Sequence, residues 1–516
     1  MSGHSKIQHL LLVPIPAYGH IRPLCALAGR LAAKSNIVIT ILMPPNWFKS
    51  AQSDIVAQFP AGHEALGRIR VVSLFDAADL DTFALMPKAV EHYPAAYENL
   101  YRGGPIKCAT TGTEFAAVPP PAALILDVFA LPQLHATRAV SGNTVPIFMF
   151  IAGNAGALIR MFGPESMGGQ GDLWPKINAE ALRLGKTADE IGDQIFMHTD
   201  GTVLQIPGMP AMYDYETIPQ VTIAAPIAAL HRSAHDMLTA CDGIFLNTAS
   251  AYDGKTLIAF EDWVRESLHK PIYVVGPLLP LGYGVQQIPM SNKPVDVEIR
   301  SFLDSMKSRY GEKSVLFISF GSVFWPKLAN QIEDLVDALL EKQFPFILCN
   351  ASPAAIVPDE LVTKINASGI GKAAAWAPQQ YIMTHPATGW FLGHCGHGGV
   401  LEALTAGVPM ICWPFQADQP IAAVHLSQNL NVAFHLMEVR TGKGLQPLHS
   451  GYAPQGTRAA MQVEFRGVID QCRSEVGQEK RRNAQRIQGE LADAWKADGA
   501  ASLAIEDFFA SYFPSR

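Results

Sequence analysis

Two residues near apolar segments have side chains suited to proton transfer. His20 lies in "PAYGHIRP", after a short apolar run, and Asp127 ends a second run, "LILDVF". Histidine titrates near neutral pH, and a buried carboxylate on one ring nitrogen fixes its tautomer. The pair could therefore act as a general base. Each residue also has a purely structural interpretation, since His20 could cap or pack a helix and Asp127 could close a strand.

A turn rich in glycine and histidine, "HCGHGG", separates the apolar run "TGWFLG" from the helical run "GVLEALTA". Backbone N–H groups and the helix dipole make a strand–turn–helix junction suitable for an anion. Gly396, Gly398 and Gly399 would let a phosphate approach the backbone, and His394 could donate to it. The same residues would also suit a plain tight turn.

Other motifs fit this turn poorly. Neither the dinucleotide fingerprint GxGxxG nor a P-loop GK[ST] is present, so the sequence gives little support to an NAD-dependent enzyme. His394, Cys395 and His397 are close together, but no second Cys/His cluster lies at zinc-site spacing. A metal site is therefore disfavoured.

Composition excludes several classes of protein. The chain has 516 residues, 49% hydrophobic and 16% charged, with a net charge of -7. This composition predicts a globular protein of two domains and gives nucleic acid no basic surface. The seven cysteines form no CxxC pair, and prolines interrupt the longest apolar runs. We expect a cytoplasmic protein without a transmembrane segment, either a monomer or a weak dimer.

The elements that must position these residues alternate between strand and helix. Apolar runs such as "HLLLVPIP", "NIVITILM", "SVLFISFGS" and "VPMICWPF" are hydrophobic on both faces, as strands of a helix-covered parallel sheet must be. Two such series follow one another. The pattern predicts two doubly wound α/β domains, with a ligand at the carboxyl ends of the strands and in the cleft between the domains.

Domain boundaries follow from breaks in this alternation. We predict an N-terminal acceptor-binding domain over residues 1–276, a Pro- and Gly-rich linker over 277–297, and a C-terminal donor-binding domain over 298–490. Residues 491–516 are predicted to form a C-terminal helix that packs back on the first domain. Residues 160–200 fit neither series and are predicted to be an inserted helical lid or loop.

The stretch from Trp376 to Gln419 resembles the nucleotide-sugar signature of the family 1 UDP-glycosyltransferases. It begins "WAPQQYIMTHPATGWFLGHCG", ends "PFQADQ" and spans 44 residues, the ungapped length in that family. "PAYGHIRPL", "LILDVF", "DGIFLNT", "VVGPL" and "ADGAASLAIEDFF" support it in order along the chain. The resemblance implies the GT-B fold, with two Rossmann-like domains facing across a cleft, and a UDP-sugar as donor.

The resemblance assigns a role to each part of the donor site. Trp376 would stack on uracil, while Ala377 and Gln379 would fix its edges. Glu402 would accept both ribose hydroxyls, for which a carboxylate is well suited. The complete UDP-sugar site implied is Ser322, Trp376, Ala377, Gln379, His394, Gly396, His397, Gly398, Gly399, Glu402, Asp418 and Gln419.

The remaining donor contacts concern the diphosphate and the sugar. His394 and Ser322 would meet the diphosphate, and Asp418 and Gln419 would bind sugar hydroxyls. The family often has Trp-Asn-Ser where this chain has His397-Gly398-Gly399, which moves the phosphate contacts onto backbone N–H groups.

Members of the family with Gln at the end of the signature often prefer glucose, so Gln419 favours glucose, and UDP-xylose stays possible. No arginine lies between Lys372 and Arg440 to bind a glucuronate.

By the same resemblance, His20 is the base and Asp127 its partner, UDP leaves, and an α-linked donor gives a β-glycoside. No metal or other cofactor is expected, because the helix dipole and His394 would meet the diphosphate charge. Asp79–Asp81 reads as a DxD-like "DLD", but such metal motifs belong to transferases of another fold. We interpret it as part of an acceptor-side loop.

The acceptor is predicted to be a lipophilic hydroxylated small molecule such as a terpenoid, phenol or polyketide. Phe75, Phe148 and Asn154 are the candidate acceptor-binding residues, although these segments could equally be core. Two rival functions share the donor site: a UDP-sugar epimerase of the same fold, and a UDP-sugar-binding protein without catalysis. The presence of both His20 and Asp127 argues against the second.

Overall fold

The computed structural model describes residues 7–77, 82–221, 226–286 and 293–513. The first half contains the strands β1 Gln8–Val13, β2 Ile37–Met43, β3 Ile69–Ser73, β4 Ile106–Lys107, β5 Glu114–Phe115, β6 Ala123–Asp127, β7 Ile147–Ile151, β8 Val203–Leu204, β9 Met212–Tyr213, β10 Gly243–Leu246 and β11 Ile272–Val274. Its helices are α1 Tyr18–Lys34, α2 Phe48–Val56, α3 Thr82–Tyr101, α4 Leu131–Ser141, α5 Ala155–Phe162, α6 Trp174–Leu184, α7 Ala188–Phe196, α8 Ile227–Ala240 and α9 Ser250–Ser267.

The second half has the strands β12 Val315–Ser319, β13 Phe346–Cys349, β14 Gly371–Ala374, β15 Thr388–Gly393, β16 Met410–Cys412 and β17 Ala433–His435. Its helices are α10 Pro294–Tyr310, α11 Ala329–Glu341, α12 Asp359–Ala367, α13 Gln379–Thr384, α14 His397–Thr405, α15 Gln419–Val424, α16 Arg458–Cys472, α17 Glu475–Asp493 and α18 Ala500–Tyr512.

Two parallel sheets confirm the predicted pair of doubly wound domains. The first has the order β11-β10-β7-β6-β1-β2-β3, and the second has the order β14-β13-β12-β15-β16-β17. Strands such as β2, β6, β7, β12 and β15 are buried along their whole length. Helices on both faces cover these strands, which explains why their sequences are apolar throughout rather than alternating.

Each sheet reverses its winding direction at one point, and these points locate the site. In the first sheet the reversal lies between β1 and β6, and in the second between β12 and β15. Loops after the two central strands diverge at such a point and leave a crevice at the carboxyl edge. His20, Asp127, Ser322 and His394 all follow or end one of these four strands.

The C-terminal helix α18 packs against the first sheet. Ile505 and Phe508 belong to the hydrophobic core of the N-terminal domain, and the Phe508 ring meets Phe148 edge-on with centroids 5.2 Å apart. The chain therefore crosses back over the domain boundary after α17.

Residues 160–200 include α6 and α7, which form a small separate core with Ile177, Ala181 and Ile191 beside Ala228 of α8.

α10 begins at Pro294, inside the segment predicted to be linker, because proline suits the first helical position.

Candidate functional site

His20 and Asp127 meet at the reversal point of the first sheet. The His20 Nδ1 atom lies 2.8 Å from Asp127 Oδ2. The other oxygen of Asp127 accepts the backbone N–H of Phe129 at 3.0 Å, and the carboxylate is fully buried. With Nδ1–H donated to this fixed acceptor, the Nε2 atom of His20 carries the lone pair. The side chain of His20 is 26% exposed, so that lone pair can reach a ligand.

The electrostatic surroundings favour proton uptake by His20. Burial by itself lowers the pKa of the imidazole, but the charge and hydrogen bond of Asp127 and the charge of Asp418 outweigh it, and the net pKa is raised above its ordinary value. Asp418 belongs to the C-terminal domain. His20 therefore faces a carboxylate from the opposite side of the cleft.

His20 lies in the first turn of α1 rather than in a loop before it. His20 and Ile21 both donate their backbone N–H to the carbonyl of Ala17, at 3.0 Å each. The helix therefore starts at Tyr18, and Pro23 lies inside its second turn. A proline here removes only its own N–H, so the preceding turn can still close.

The glycine–histidine turn joins β15 to α14 as predicted, but α14 already begins at His397, with Gly396 as its N-cap. Gly398 and Gly399 therefore lie in the first helical turn, where backbone N–H groups lack helical partners. Cys395 has a φ of 67° although it is not glycine. This left-handed conformation costs conformational energy and bends the chain sharply at the end of the strand.

His394 sits between two glycines at the start of this turn. A Cβ on Gly396 would lie 2.4 Å from the His394 ring and one on Gly321 would lie 2.8 Å from it, so both positions need glycine. Burial lowers the pKa of His394 to about 4. Its Nδ1 atom is buried and has no hydrogen-bond partner among the described residues. A neutral imidazole in this place can donate to an anion without carrying a charge of its own.

His397 turns away from the cleft and into the domain interface. It is 5% exposed, and its Nε2 atom contacts the carbonyl oxygen of Asn247 at 2.5 Å. Burial lowers the pKa of His397 to about 4. The structure thus gives the His397 side chain an interdomain hydrogen bond, while its backbone N–H bonds the carboxylate of Asp418.

Glu402 is the most heavily hydrogen-bonded carboxylate of the site. Arg22 donates to Oε1 at 2.7 Å, Gln380 donates to the same oxygen at 2.9 Å, and Gln379 donates to Oε2 at 2.5 Å. Only 2% of Glu402 is exposed. The Gln379 amide, predicted to read a nucleobase edge, instead orients this carboxylate, and Arg22 joins it from the other domain.

Trp376 is half exposed at 49%, whereas the neighbouring Ala377 is buried. Two aromatic rings of the N-terminal domain face it: the Tyr18 and Trp47 centroids each lie 6.5 Å away. An exposed indole at a domain cleft is suited to stacking.

The last residues of the signature form a second sharp turn. Ala417 has a φ of 60°, again left-handed without glycine. Burial raises the pKa of the next residue, Asp418, to about 6, although its carboxylate accepts backbone N–H bonds. The Gln419 Oε1 accepts the N–H groups of Phe415 and Gln416 at 3.0 and 3.3 Å. Gln419 therefore shapes the turn that presents Asp418.

Ser322 follows β12 and is partly exposed.

The structure corrects the predicted acceptor residues. Phe148 is fully buried among Phe245, Phe508 and two tyrosine rings, because it lies inside β7 under the C-terminal helix. Phe75 is 6% exposed and stacks on His92. Asn154 caps α5 by accepting from Ala157, and its amide donates to the Asp418 carbonyl at 3.3 Å. Phe148 is a core residue, and Asn154 braces the donor turn.

Three further structural findings concern the remaining predictions. Among the described residues, no three His, Cys, Asp or Glu side chains come together as a metal site. The Asp79–Asp81 motif lies outside the described residues. No helix within the described ranges is both long and apolar enough to cross a membrane.

Comparisons with known proteins agree with this geometry. A family described as "UDP-glucoronosyl and UDP-glucosyl transferase" matches residues 275–445. UDP-glycosyltransferase eriJ of Hericium erinaceus is 31% identical over 528 residues, covering 97% of this chain and 98% of that protein. The chain belongs to the UDP-glycosyltransferase family. UDP-glycosyltransferase 71C2 of Arabidopsis thaliana is 26% identical, over 83% of this chain and 85% of that one.

Solved structures show that this UDP-glycosyltransferase has the GT-B fold. A transferase from Siraitia grosvenorii in complex with UDP superposes with a TM-score of 0.70 at 22% identity, over 98% of this chain and 99% of that one. UGT71G1 of Medicago truncatula, complexed with UDP-glucose, gives 0.69 at 20% identity, over 99% and 100%. The predicted family, fold and enzyme class are confirmed.

Several residues of the UDP-glycosyltransferase site escaped the sequence analysis. Arg22, Trp47 and Tyr18 come from the N-terminal domain yet reach the donor side of the cleft. Arg22 had a detectable signal, since it lies two residues after His20 and a cation next to a candidate base is unusual. Trp47 had none, because only domain packing brings it near Trp376.

Proposed function

We propose that this UDP-glycosyltransferase transfers glucose from UDP-glucose to a hydroxyl group of a lipophilic small molecule, with inversion and without a metal. The observation that carries the proposal is the 2.8 Å contact between His20 and Asp127, at the reversal point of one sheet and facing Asp418 from the other domain. A base and a donor-side carboxylate therefore meet where the two domains meet.

The proposed reaction is a direct displacement. Nε2 of His20 removes the acceptor's hydroxyl proton as that oxygen attacks the anomeric carbon. The bond from this carbon to the diphosphate oxygen breaks on the opposite side, and UDP takes the electron pair. Asp127 stabilises the imidazolium that forms. An α-linked donor then yields a β-glycoside.

The negative charge of the leaving diphosphate is proposed to fall at the N-terminus of α14. Gly398 and Gly399 present backbone N–H groups there, and the helix dipole favours an anion. His394 adds a neutral donor whose Nδ1 has no partner within the described part of the chain. These groups support catalysis without a metal.

The proposed sugar and acceptor are supported by the end of the signature, by two relatives and by an aromatic ring beside His20. The resemblance to the family favours glucose because Gln419 ends the signature, and UGT71G1 of Medicago truncatula is described in complex with UDP-glucose. A relative from Phytolacca americana is described with UDP-2fluoro-glucose and pterostilbene. The partly exposed Phe129 ring lies 5.8 Å from His20, which gives the acceptor an apolar contact beside the base.

A mass-spectrometric assay tests this proposal. The protein is incubated with UDP-glucose, UDP-xylose, UDP-N-acetylglucosamine or UDP-glucuronate and a panel of phenols, stilbenes and terpenoid alcohols, with and without EDTA. We expect a mass gain of one hexose with UDP-glucose, unaffected by EDTA. Loss of turnover in EDTA would contradict the metal-free mechanism, and preference for UDP-glucuronate would contradict the donor. Conversion of a UDP-sugar without any conjugate would indicate an epimerase.

A further inference from the structure

The rim of the N-terminal domain covers the uridine end of the donor site. Trp47 ends a short turn directly after β2, and Tyr18 begins α1 after β1. The Trp47 and Tyr18 rings pack together with centroids 4.9 Å apart. Both face Trp376 of the C-terminal domain at 6.5 Å. Aromatic side chains of two domains therefore line one gap.

The position of Trp47 is fixed by its neighbours in the chain. The Asn46 amide donates to the Pro16 carbonyl at 2.9 Å, and Phe48 is 2% exposed in the core. Pro44 precedes this turn and Pro45 begins it, and both prolines restrict its backbone. A rigid aromatic surface can bind a ring with little loss of conformational entropy.

The spacing of the two indoles is suited to a flat ring. Stacked bases lie about 3.4 Å apart, so a base with an aromatic ring on each face needs about 6.8 Å between those rings. The Trp47 and Trp376 centroids are 6.5 Å apart, and their planes are inclined by 31°. A small opening and rotation of the domains would make the two planes parallel at the required distance.

Polar atoms in the same turn point to a ligand as well. The Trp47 Nε1–H group and the Asn46 Oδ1 atom are both buried and have no hydrogen-bond partner among the described residues. Buried polar groups without a partner are uncommon in proteins unless a water or a ligand forms a hydrogen bond with them. These two atoms offer one hydrogen-bond donor and one hydrogen-bond acceptor beside an aromatic gap. They match the alternating polar edge of a nucleobase or the hydroxyls of a ribose.

We propose that Trp47 and Trp376 form an aromatic clamp across the domain interface, with the uracil of the donor between them. This inference rests on the proposed UDP-sugar donor and adds a second stacking residue to its site. The Arg22–Glu402 ion pair at 2.7 Å crosses the same interface and holds the two rims together. A base bound between the two indoles would contact both domains at once and would help to keep them together over the donor.

Titration calorimetry with UDP tests the clamp in the full-length protein. Replacing Trp376 by Leu is expected to weaken UDP binding by about 5- to 150-fold, the usual range for one base-stacking contact. Trp47→Leu keeps an apolar side chain but no ring, and is expected to weaken binding by about 3- to 30-fold. Trp47→Phe should restore binding to within about threefold of the original protein.

Two further variants separate stacking from packing. The double variant with Leu at both positions should lose less than the product of the single losses, because each ring holds the base against the other. Trp263→Leu removes a partly buried tryptophan beside Phe260 on α9, away from the cleft, and should leave UDP affinity unchanged.

The outcomes distinguish the clamp from the proposed function. If Trp47→Leu binds UDP as the original protein does while Trp376→Leu is weakened, the clamp is wrong and the donor site stands; Trp47 then only packs the two domains together. If the original protein does not bind UDP, the proposed donor fails and the clamp fails with it.

Discussion

The two sides of the cleft are built differently. On the N-terminal side, the hydrogen bond between His20 and Asp127 is complete, and both oxygens of the carboxylate are used. On the C-terminal side, Cys395 and Ala417 hold left-handed conformations, and His394 has a buried nitrogen without a partner in the described ranges. The protein itself thus fixes the orientation of His20 and Asp127 before a ligand binds. The donor side instead has two strained backbone conformations and a ring nitrogen that lacks a hydrogen-bond partner in the described ranges.

This difference has a physical reason. A base must have its tautomer and orientation set before a substrate arrives, and a buried carboxylate can do that alone. A site for a charged diphosphate must keep donors available, so its polar groups cannot all be satisfied within the protein. The comparison predicts that mutations of His20 and Asp127 mainly affect the chemical step, whereas mutations of Glu402 and of the donor turn mainly affect donor binding.

The largest effect is expected for His20→Ala. Loss of the general base should lower kcat by up to about 10⁴-fold while the dissociation constant for UDP stays within a few-fold. Steady-state kinetics and calorimetry measure the two quantities. His135→Ala, on α4, is the control and should be neutral. A His20→Ala enzyme with near-normal kcat would mean that this side of the cleft does not supply the base.

Asp127→Asn should lower the rate by about 100-fold or more at neutral pH and shift its pH dependence. Neutral His20 is the active form, and Asp127 raises its pKa. Without that charge the pKa falls, so neutral imidazole persists to lower pH and the acid limb of kcat/KM moves to lower pH.

Asp418 needs a control in the same pH profile, because its own pKa is about 6. If ionisation of this carboxylate causes the acid limb of the kcat/KM profile, that limb should be absent in Asp418→Asn. If the acid limb vanishes in Asp418→Asn and does not move in Asp127→Asn, the pH dependence belongs to the donor side.

On the donor side, Glu402→Gln is expected to weaken UDP binding by about 10- to 100-fold and to change kcat much less. A hydrogen bond to a charged group contributes about 1.5–3 kcal/mol, and Glu402 is proposed to meet the ribose hydroxyls. Calorimetry with UDP measures it. Glu475→Gln removes an exposed carboxylate paired with Arg482 and serves as the matched control. A drop in kcat with unchanged UDP affinity would erase the distinction between the two sides.

The smallest effect is expected for Ala417→Gly, which relieves a left-handed conformation at an exposed position. Thermal unfolding should show a gain of up to about 1 kcal/mol, because glycine adopts this conformation freely. The donor KM should rise about two- to threefold as the turn holding Asp418 loosens. His269→Gly, exposed and left-handed after α9, should stabilise without changing KM. Equal kinetics in both variants would show that strain at Ala417 has no role in the site.

Much of this enzyme could be predicted from local sequence. Strands buried on both faces must be apolar throughout, so β1, β2, β12 and β15 were recognisable without a structure. Errors arose where the local signal was ambiguous. β17, for example, has three residues, too few for a periodic pattern, and its sequence was not recognised as a strand.

Local patterns in the chain were enough to identify the family, the two doubly wound domains, His20, Asp127 and the donor signature, because each depends on residues close together in the sequence. Which side chains face one another follows from the folded structure alone. It put Phe148 in the core, turned His397 towards Asn247, and brought Arg22 to Glu402 and Trp47 to Trp376. The contacts of His397 and Arg22, for example, join residues 150 and 380 positions apart. The packing of two domains, which no local pattern encodes, sets their geometry.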